Sequence, residues 1–244
     1  MKTNKAIIYD DTCPMCRWYT SKFVNAGILL EHNRISFSKL EGLDLVDQID
    51  FEIGRDEIPL VDLGGGKTIY GVDSMVHLLA RKLPWLPAVV AFPPINWLMR
   101  HLYKLISYNR RIMAPSANQT IKYDCTPHFN WTYRLIYLAL TFALGISLIA
   151  NYALLFLAPT AQFGLLSLLL FLLHQTCIFA KTNTKMEYLG QLGTAIILSA
   201  FCLIPAFFNP FWAMPMGVMA VVMGLWQWNR RVSLLVSNHQ YTII

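Results

Sequence analysis

The stretch KAIIYDDTCPMCRWYTSKFVNAG, residues 5–27, decides how the chain begins to fold. Its apolar start, KAIIY, predicts a β-strand that ends in two acids, Asp10 and Asp11. A helix is predicted to follow from the cysteines, because Pro14 suits the first helical position, where no N–H group is needed. Gly27 is expected to close this helix.

More strands are expected beyond this helix. ISFSKL (35–40) predicts a second strand, and PLVDL (59–63) and KTIYG (67–71) predict a hairpin around three glycines. A further helix is expected to follow, capped by Asp73 or Ser74. The order, β-α-β and then β-β-α, predicts an α/β domain with a thioredoxin-like fold.

The chemistry of this domain is expected at the pair Cys13 and Cys16. Cys13 lies where helix N–H groups and the helix dipole favour a thiolate, so it is the predicted nucleophile and Cys16 the resolving thiol. Zinc normally has four ligands, and Cys125 and His128 are the other candidates nearby. The spacing favours redox chemistry. A zinc site and a structural pair stay open as alternatives.

Ile58 and Pro59 are the predicted substrate-binding residues. Pro59 opens the strand that would face the two cysteines in a thioredoxin-like fold. A cis bond before it would present a backbone edge to an extended peptide or thiol substrate. The alternative is a proline that only starts a strand, because most X–Pro bonds are trans.

The sequence Asp10-x-x-Cys13-x-x-Cys16 after an apolar strand resembles the DxxCxxC signature of the DCC family of thiol-disulfide oxidoreductases. The later stretch with Tyr103, Asn109 and Arg110 is similar to the C-terminal part of that family. The resemblance covers about residues 5–113. It implies a thioredoxin-like fold and a redox-active dithiol.

The same resemblance implies a role for Asp10, as the carboxylate that accepts the proton of Cys16 during resolution. The alternative is a solvated acid at the end of a strand. The chain has Asp11 where the family usually has glycine. A second carboxylate is expected to disfavour the thiolate of Cys13.

The composition indicates a membrane protein. The chain has 244 residues, 55% of them hydrophobic and 14% charged, whereas soluble domains average about 25% charged residues. This composition argues against a water-soluble enzyme and excludes a disordered chain, a collagen-like repeat and a disulfide-stapled small secreted protein. The charges after residue 129 are sparse: Arg134, Lys181, Lys185, Glu187, Arg230 and Arg231.

Four apolar runs, at 134–157, 162–180, 188–208 and 211–228, are each close to the roughly 20 residues that a transmembrane helix needs. They predict an all-α membrane domain of four transmembrane helices. The expected organisation is a redox domain at 1–115, a linker at 116–133, the membrane domain at 134–230 and a tail at 231–244.

Lysines and arginines lie before the first run, between the second and third runs and after the fourth run, which is one side of the membrane. Such residues are retained on the cytoplasmic side. Both termini are therefore expected to be cytoplasmic. The first residues lack an apolar core of the length that a signal peptide needs. The family resemblance points to a bacterial inner membrane.

Two further features have open interpretations. His174, Gln175, Glu187 and Gln191 lie near the cytoplasmic ends of two runs. They form either a functional polar site or interhelical hydrogen bonds. The segment 93–113 predicts a basic amphipathic helix that lies against anionic lipid or covers the sheet.

The sequence thus predicts a membrane-anchored thiol-disulfide oxidoreductase that acts on the cytoplasmic side through Cys13 and Cys16. Its expected partners are membrane lipid, a thiol or disulfide protein substrate and a cytosolic electron donor. No cofactor, no metal and no nucleic acid are expected. The alternatives are an adaptor that assembles with another membrane protein, and a metal-handling protein.

Overall fold

The computed structural model of the protein consists of two compact units, Met1–Tyr133 and Arg134–Ile244. Each is described separately below. The structure describes residues 4–40, 43, 45–115, 125–156, 171, 173–180, 182 and 184–237.

The first unit begins with the predicted strand and helix. Strand β1 spans Lys5–Tyr9, and helix α1 spans Pro14–Asn25 with Pro14 in its first turn. Gly27 follows the helix at a φ of 66°, in the left-handed region that glycine adopts without steric penalty. The expected strand, helix start and helix end are confirmed here.

The connection after α1 is less regular than predicted. Strand β2 spans only Arg34–Ser36, and the chain then makes a short 3-10 turn, Phe37–Lys39. Helix α2, Phe51–Asp56, follows, and the Asp50 carboxylate caps it by accepting two backbone N–H groups. The prediction of a strand over 35–40 was therefore too long.

The predicted hairpin is confirmed as strands β3, Pro59–Asp62, and β4, Ile69–Tyr70. The four strands form a small mixed sheet in the order β2-β1-β3-β4. β1 is parallel to β2 and antiparallel to β3, and β3 is antiparallel to β4. The end of β1, where the cysteines begin, therefore lies in the middle of the sheet.

Three helices complete this unit: α3 at Gly71–Leu79, α4 at Leu86–Val90 and α5 at Pro93–Met113. The prediction that Asp73 or Ser74 caps α3 was wrong. Helix α3 already begins at Gly71, and the Ser74 hydroxyl donates to the Gly71 and Ile58 carbonyls instead.

Apolar side chains cover both faces of the sheet, because neighbouring strand residues point to opposite sides. Ile7 and Leu60 pack on one face with Phe23 of α1 and Leu78 of α3. The other face carries a second cluster, which contains Ile8, Phe37, Leu40, Ile49, Val61 and Cys125. The dithiol helix is thus fixed by a core on its own side of the sheet.

The second unit is helical. Its described helices are α6 at Trp131–Phe156, which begins in the first unit, a stretch at 173–180, α7 at Lys185–Phe201, α8 at Ile204–Phe208 and α9 at Ala213–Ser237. Helices α6 and α7 approach closely at two glycines. A Cβ on Gly145 would lie 2.7 Å from Ile196, and one on Gly193 would lie 2.6 Å from Thr141. Small residues allow such close packing of membrane helices.

Three helical segments are long and apolar enough to cross a membrane: Trp131–Phe156, Lys185–Phe208 and Pro210–Arg231. They correspond to the first, third and fourth predicted spans. The second predicted span, 162–180, lies largely outside the described residues, which include only its end. Three of the four predicted spans are therefore long and apolar enough to cross a membrane.

We expect Gly71→Ala to lower the free energy of unfolding of the first unit by about 2–4 kcal/mol. Gly71 has a φ of 60°, and an added Cβ would overlap the Glu57 carboxylate, so that side chain would have to move. Gly65→Ala is the control, since Gly65 has a φ of 81° but nothing within 4 Å of the added Cβ. Pulse proteolysis in urea measures both variants, and equal losses would contradict a role for Glu57.

Candidate functional site

The dithiol lies where β1 ends and α1 begins. Cys13 is the N-cap residue of α1, and Cys16 lies in the first turn of the helix. Both cysteines are free thiols and buried. The central strand therefore fixes the start of the helix, and the helix fixes the two sulfur atoms.

The Asp10 carboxylate holds the turn that precedes Cys13. Its Oδ1 accepts hydrogen bonds from the Thr12 N–H at 3.0 Å, the Thr12 hydroxyl at 2.6 Å and the Cys13 N–H at 3.2 Å. Asp10 is only 4% exposed. The alternative of a solvated acid does not fit this environment.

Two arginines from the far end of α5 face the other oxygen of Asp10. The Asp10 Oδ2 lies 3.1 Å from Arg111 Nη2 and 3.6 Å from Arg110 Nη2. Arg110 is itself buried at 7% exposure. A buried carboxylate needs such partners, because an isolated charge in the protein interior is strongly disfavoured.

Arg110 also joins several segments of the first unit. Its guanidinium donates to the Ser107 hydroxyl at 3.1 Å, to the Arg55 carbonyl at 2.9 Å and to the Cys125 carbonyl. The sequence predicts a basic amphipathic helix here but gives no partner for Arg110 or Arg111. In the structure both point to Asp10, and α5 packs against α2 and α3.

The environment separates the acidities of the two thiols. The pKa of Cys13 is lowered to about 6, first by a hydrogen bond from the Cys16 thiol and further by the positive charge of Arg110. Donating that hydrogen bond, together with burial, raises the pKa of Cys16 well above its ordinary value. Cys13 is thus the thiolate at neutral pH, and Cys16 keeps its proton.

The carboxylates near Cys13 do not prevent the lowering of its pKa. The charge of Asp10 raises the pKa of Cys13, but its effect is smaller than that of Arg110. Asp11 accepts a hydrogen bond from the Ser38 hydroxyl at 2.7 Å. The Cys13 thiolate is therefore favoured overall, despite the two acids that precede it in the chain.

Two tyrosines lie near Cys16. Burial raises the pKa of the Tyr19 hydroxyl, and a hydrogen bond with Cys16 adds to this effect. Burial also raises the pKa of Tyr103, whose hydroxyl accepts the Ile58 N–H at 2.9 Å. Both hydroxyls therefore stay protonated. Sequence reasoning found Tyr103 only through the family resemblance, and it missed Tyr19.

Pro59 does not have the expected cis bond. No peptide bond in the described residues is cis, and Pro59 pairs with Tyr70 in the hairpin. The carbonyl of Ile58 accepts hydrogen bonds from the Gly71 N–H and the Ser74 hydroxyl, and its N–H is bound to Tyr103. Both polar backbone groups of Ile58 thus have partners within the protein. The substrate-binding role of Ile58 and Pro59 stays a prediction.

His128 does not join the cysteines. Its ring lies between two carboxylates, with Nδ1 3.0 Å from Asp56 and Nε2 3.2 Å from Glu52. Burial is the main cause that raises the pKa of the Cys125 thiol. Within the described residues, no three His, Cys, Asp or Glu side chains are grouped as metal ligands would be.

The four residues predicted to form a polar site in the membrane unit make different contacts. The Tyr188 hydroxyl donates to the Gln175 amide oxygen at 2.5 Å, and Gln175 lies beside His174. Gln191 accepts a hydrogen bond from Arg231. Glu187 is half-buried at the start of α7. Gln175 and Gln191 thus make contacts between helices of the kind expected from the simpler interpretation. A functional role for these residues stays a prediction.

Comparison with known proteins agrees with this geometry. No curated protein and no solved structure matches the chain. Residues 7–114 match the family model described as DCC1-like thiol-disulfide oxidoreductase, which covers the dithiol, Asp10 and Arg110. The part of the chain that holds the candidate site, residues 7–114, is therefore similar to the DCC1-like thiol-disulfide oxidoreductase family.

Proposed function

We propose that the protein is a membrane-anchored thiol-disulfide oxidoreductase with Cys13 as nucleophile and Cys16 as resolving thiol. The observation that carries this proposal is the opposite displacement of the two thiol pKa values within one helical turn. A structural pair has no need of such a difference, whereas an exchange catalyst requires a thiolate that attacks and a thiol that follows.

The proposed reaction transfers two electrons from the dithiol to a substrate disulfide. The Cys13 thiolate attacks one substrate sulfur, which forms a mixed disulfide and releases the other sulfur as a thiolate. Cys16 then gives its proton to water, and its thiolate attacks the Cys13 sulfur of the mixed disulfide. This step forms the Cys13–Cys16 disulfide and releases the second substrate sulfur as a thiolate, which takes a proton from water. A thiol donor must then reduce the pair, and a cytosolic dithiol protein is the expected donor.

Arg110 serves both steps of this reaction. In the resting state its charge lowers the pKa of Cys13. In the mixed disulfide Cys13 carries no charge, and the same guanidinium lowers the pKa of Cys16. Asp10 has a positioning role in this proposal, because its two oxygens already face three hydrogen-bond donors and two guanidiniums. Proton transfer from Cys16 to Asp10 would compete with those contacts.

The fold and the location belong to the same proposal. The order β1-α1-β2-α2-β3-β4-α3 and the central position of β1 support a thioredoxin-like fold. Three apolar helices support membrane insertion, and the apolar run at 162–180 would supply a fourth span. The lysines and arginines at alternate span ends support a cytoplasmic position of the dithiol domain.

The absorbance of the Cys13 thiolate is expected to appear with a midpoint near pH 6. Raising the pH removes the thiol proton, so the signal increases through this midpoint and then levels. We measure it as the ultraviolet difference between the protein and Cys13→Ala. In Cys16→Ala the midpoint should move up towards the ordinary value, because the strongest stabilising hydrogen bond is lost. Cys16→Ser keeps a hydroxyl donor and should shift less, and equal midpoints in the two variants would refute this cause.

Cys16→Ser is expected to trap the substrate. Without a resolving thiol, the mixed disulfide at Cys13 persists, so non-reducing electrophoresis of membranes should show new adducts that mass spectrometry assigns to Cys13. Cys13→Ser should show none. Cys177→Ser is the control at an exposed cysteine outside the site. Without adducts, and without a reversible Cys13–Cys16 couple between about −180 and −270 mV, the adaptor alternative would replace this proposal.

Arg110→Gln is expected to raise the midpoint of the Cys13 thiolate and to slow exchange with a small disulfide several-fold at pH 6, where thiolate becomes limiting. Arg100→Gln is the matched control on the same helix, since Arg100 pairs with Asp73 at 2.9 Å on the surface. The control should leave both quantities unchanged. An unchanged Cys13 midpoint in Arg110→Gln would show that Arg110 does not tune the thiol.

A further inference from the structure

Helix α5 shows an unusual distribution of polar and apolar side chains. Leu98, Leu102 and Ile106 recur every four residues, so they lie along one side of the helix. Each of them is between 44% and 49% exposed. We call these three residues the outer stripe. In a soluble domain, the apolar side of such a helix normally faces the core.

The opposite side of α5 faces the first unit and is largely polar. There the Tyr103 hydroxyl accepts the Ile58 N–H, Ser107 donates to the Asp56 carbonyl, and Arg110 lies near Asp10. These contacts fix the helix to the sheet and to α2. The outer stripe therefore has no part in the core of its own unit.

Exposed aromatic residues also occur on α5 and at the ends of α4. Trp97 on α5 is 62% exposed, and Trp85 and Phe92 at the ends of α4 are 58% exposed. Helix α4 packs against α5. Tryptophan is enriched at membrane–water interfaces, where its apolar ring and its N–H group find matching surroundings.

The charged residues in the segment that carries this surface are all positive. Residues 74–123 contain no Asp or Glu. Lys104 lies on α5, and Arg81 and Lys82 lie in the turn after α3. Arg100 also lies on α5, where it pairs with Asp73. Such a surface is complementary to anionic lipid headgroups.

We propose that the outer stripe, with Trp97, docks on the surface of an anionic lipid bilayer, so that α5 lies in the membrane interface. An apolar side flanked by lysine and arginine is typical of interfacial helices. Residues 114–130 join α5 to the first candidate span, and a chain of that length reaches at most about 60 Å. Docking rests on the proposed membrane insertion but not on the proposed dithiol activity.

The test uses the full-length protein with the fluorescent amino acid acridonylalanine at Leu102, reconstituted in vesicles of phosphatidylcholine and phosphatidylglycerol. Lipids with brominated acyl chains should reduce the emission at least twofold, because bromine quenches only at close contact. The reduction should be smaller in phosphatidylcholine alone or at high salt. The same label at Glu31, a side chain 73% exposed outside this surface, is the control and should not be quenched.

A second variant separates docking from tethering. With the label at Ile106, the double substitution Leu98→Glu and Leu102→Glu should abolish quenching, because two carboxylates oppose both burial and anionic lipid. Both positions are exposed, so the fold should persist. Lys39→Glu is the control for added negative charge, since Lys39 lies in a short turn outside this surface.

Several results would overturn the inference. Quenching at Leu102 no stronger than at Glu31 would show that the outer stripe does not touch lipid. A blue-shifted but unquenched emission would show that protein covers it, either a second copy or another membrane protein. Extraction of the protein by alkaline carbonate would instead refute membrane insertion, and quenching in the same vesicles would still decide whether the outer stripe docks.

Discussion

The site depends on one buried ionic contact, in which the Asp10 carboxylate meets Arg110 and Arg111. The two arginines and the carboxylate are about a hundred residues apart in the chain, so this contact fixes the end of α5 against the end of β1. Removing one partner of a buried pair typically costs about 3–5 kcal/mol, because it leaves the other charge uncompensated. Asp10 also holds the turn that orients Cys13. The same carboxylate therefore links the fold of this unit to the position of its nucleophile.

The surroundings of Cys13 also favour one redox state. A hydrogen bond from Cys16 and the charge of Arg110 stabilise the Cys13 thiolate. Formation of the disulfide removes this thiolate and with it both stabilising interactions. Stabilising the reduced form of a dithiol makes its disulfide a stronger oxidant. This balance opposes the expectation from a reducing cytosol, so the direction of exchange depends on the partner as well as on the site.

Local chemistry explains what the sequence could predict. The proline after Cys13 and the glycines at 64–66 identify a helix start and a hairpin turn, and long apolar runs identify membrane helices. Tyr19 lies three residues after Cys16 on α1, so helical spacing is the signal that could have identified it. The roles of Arg110 and Arg111 depend on contacts between distant segments, and periodicity carries no information about them. The expectation of a cis bond before Pro59 was wrong for a similar reason. Pro59 is fixed by pairing with Tyr70 and by the hydrogen bonds of Ile58, which only the tertiary structure shows.

Helix α5 shows what an amphipathic pattern can and cannot predict. Its sequence predicts a basic amphipathic helix that lies against anionic lipid or covers the sheet. The structure buries Arg110 and the Tyr103 hydroxyl, and it exposes Leu98 and Leu102. A buried arginine is tolerated here because Asp10 and three other oxygens surround it. The polar side of α5 thus contacts the dithiol site through Asp10. Its apolar side is exposed and can contact a surface outside the first unit.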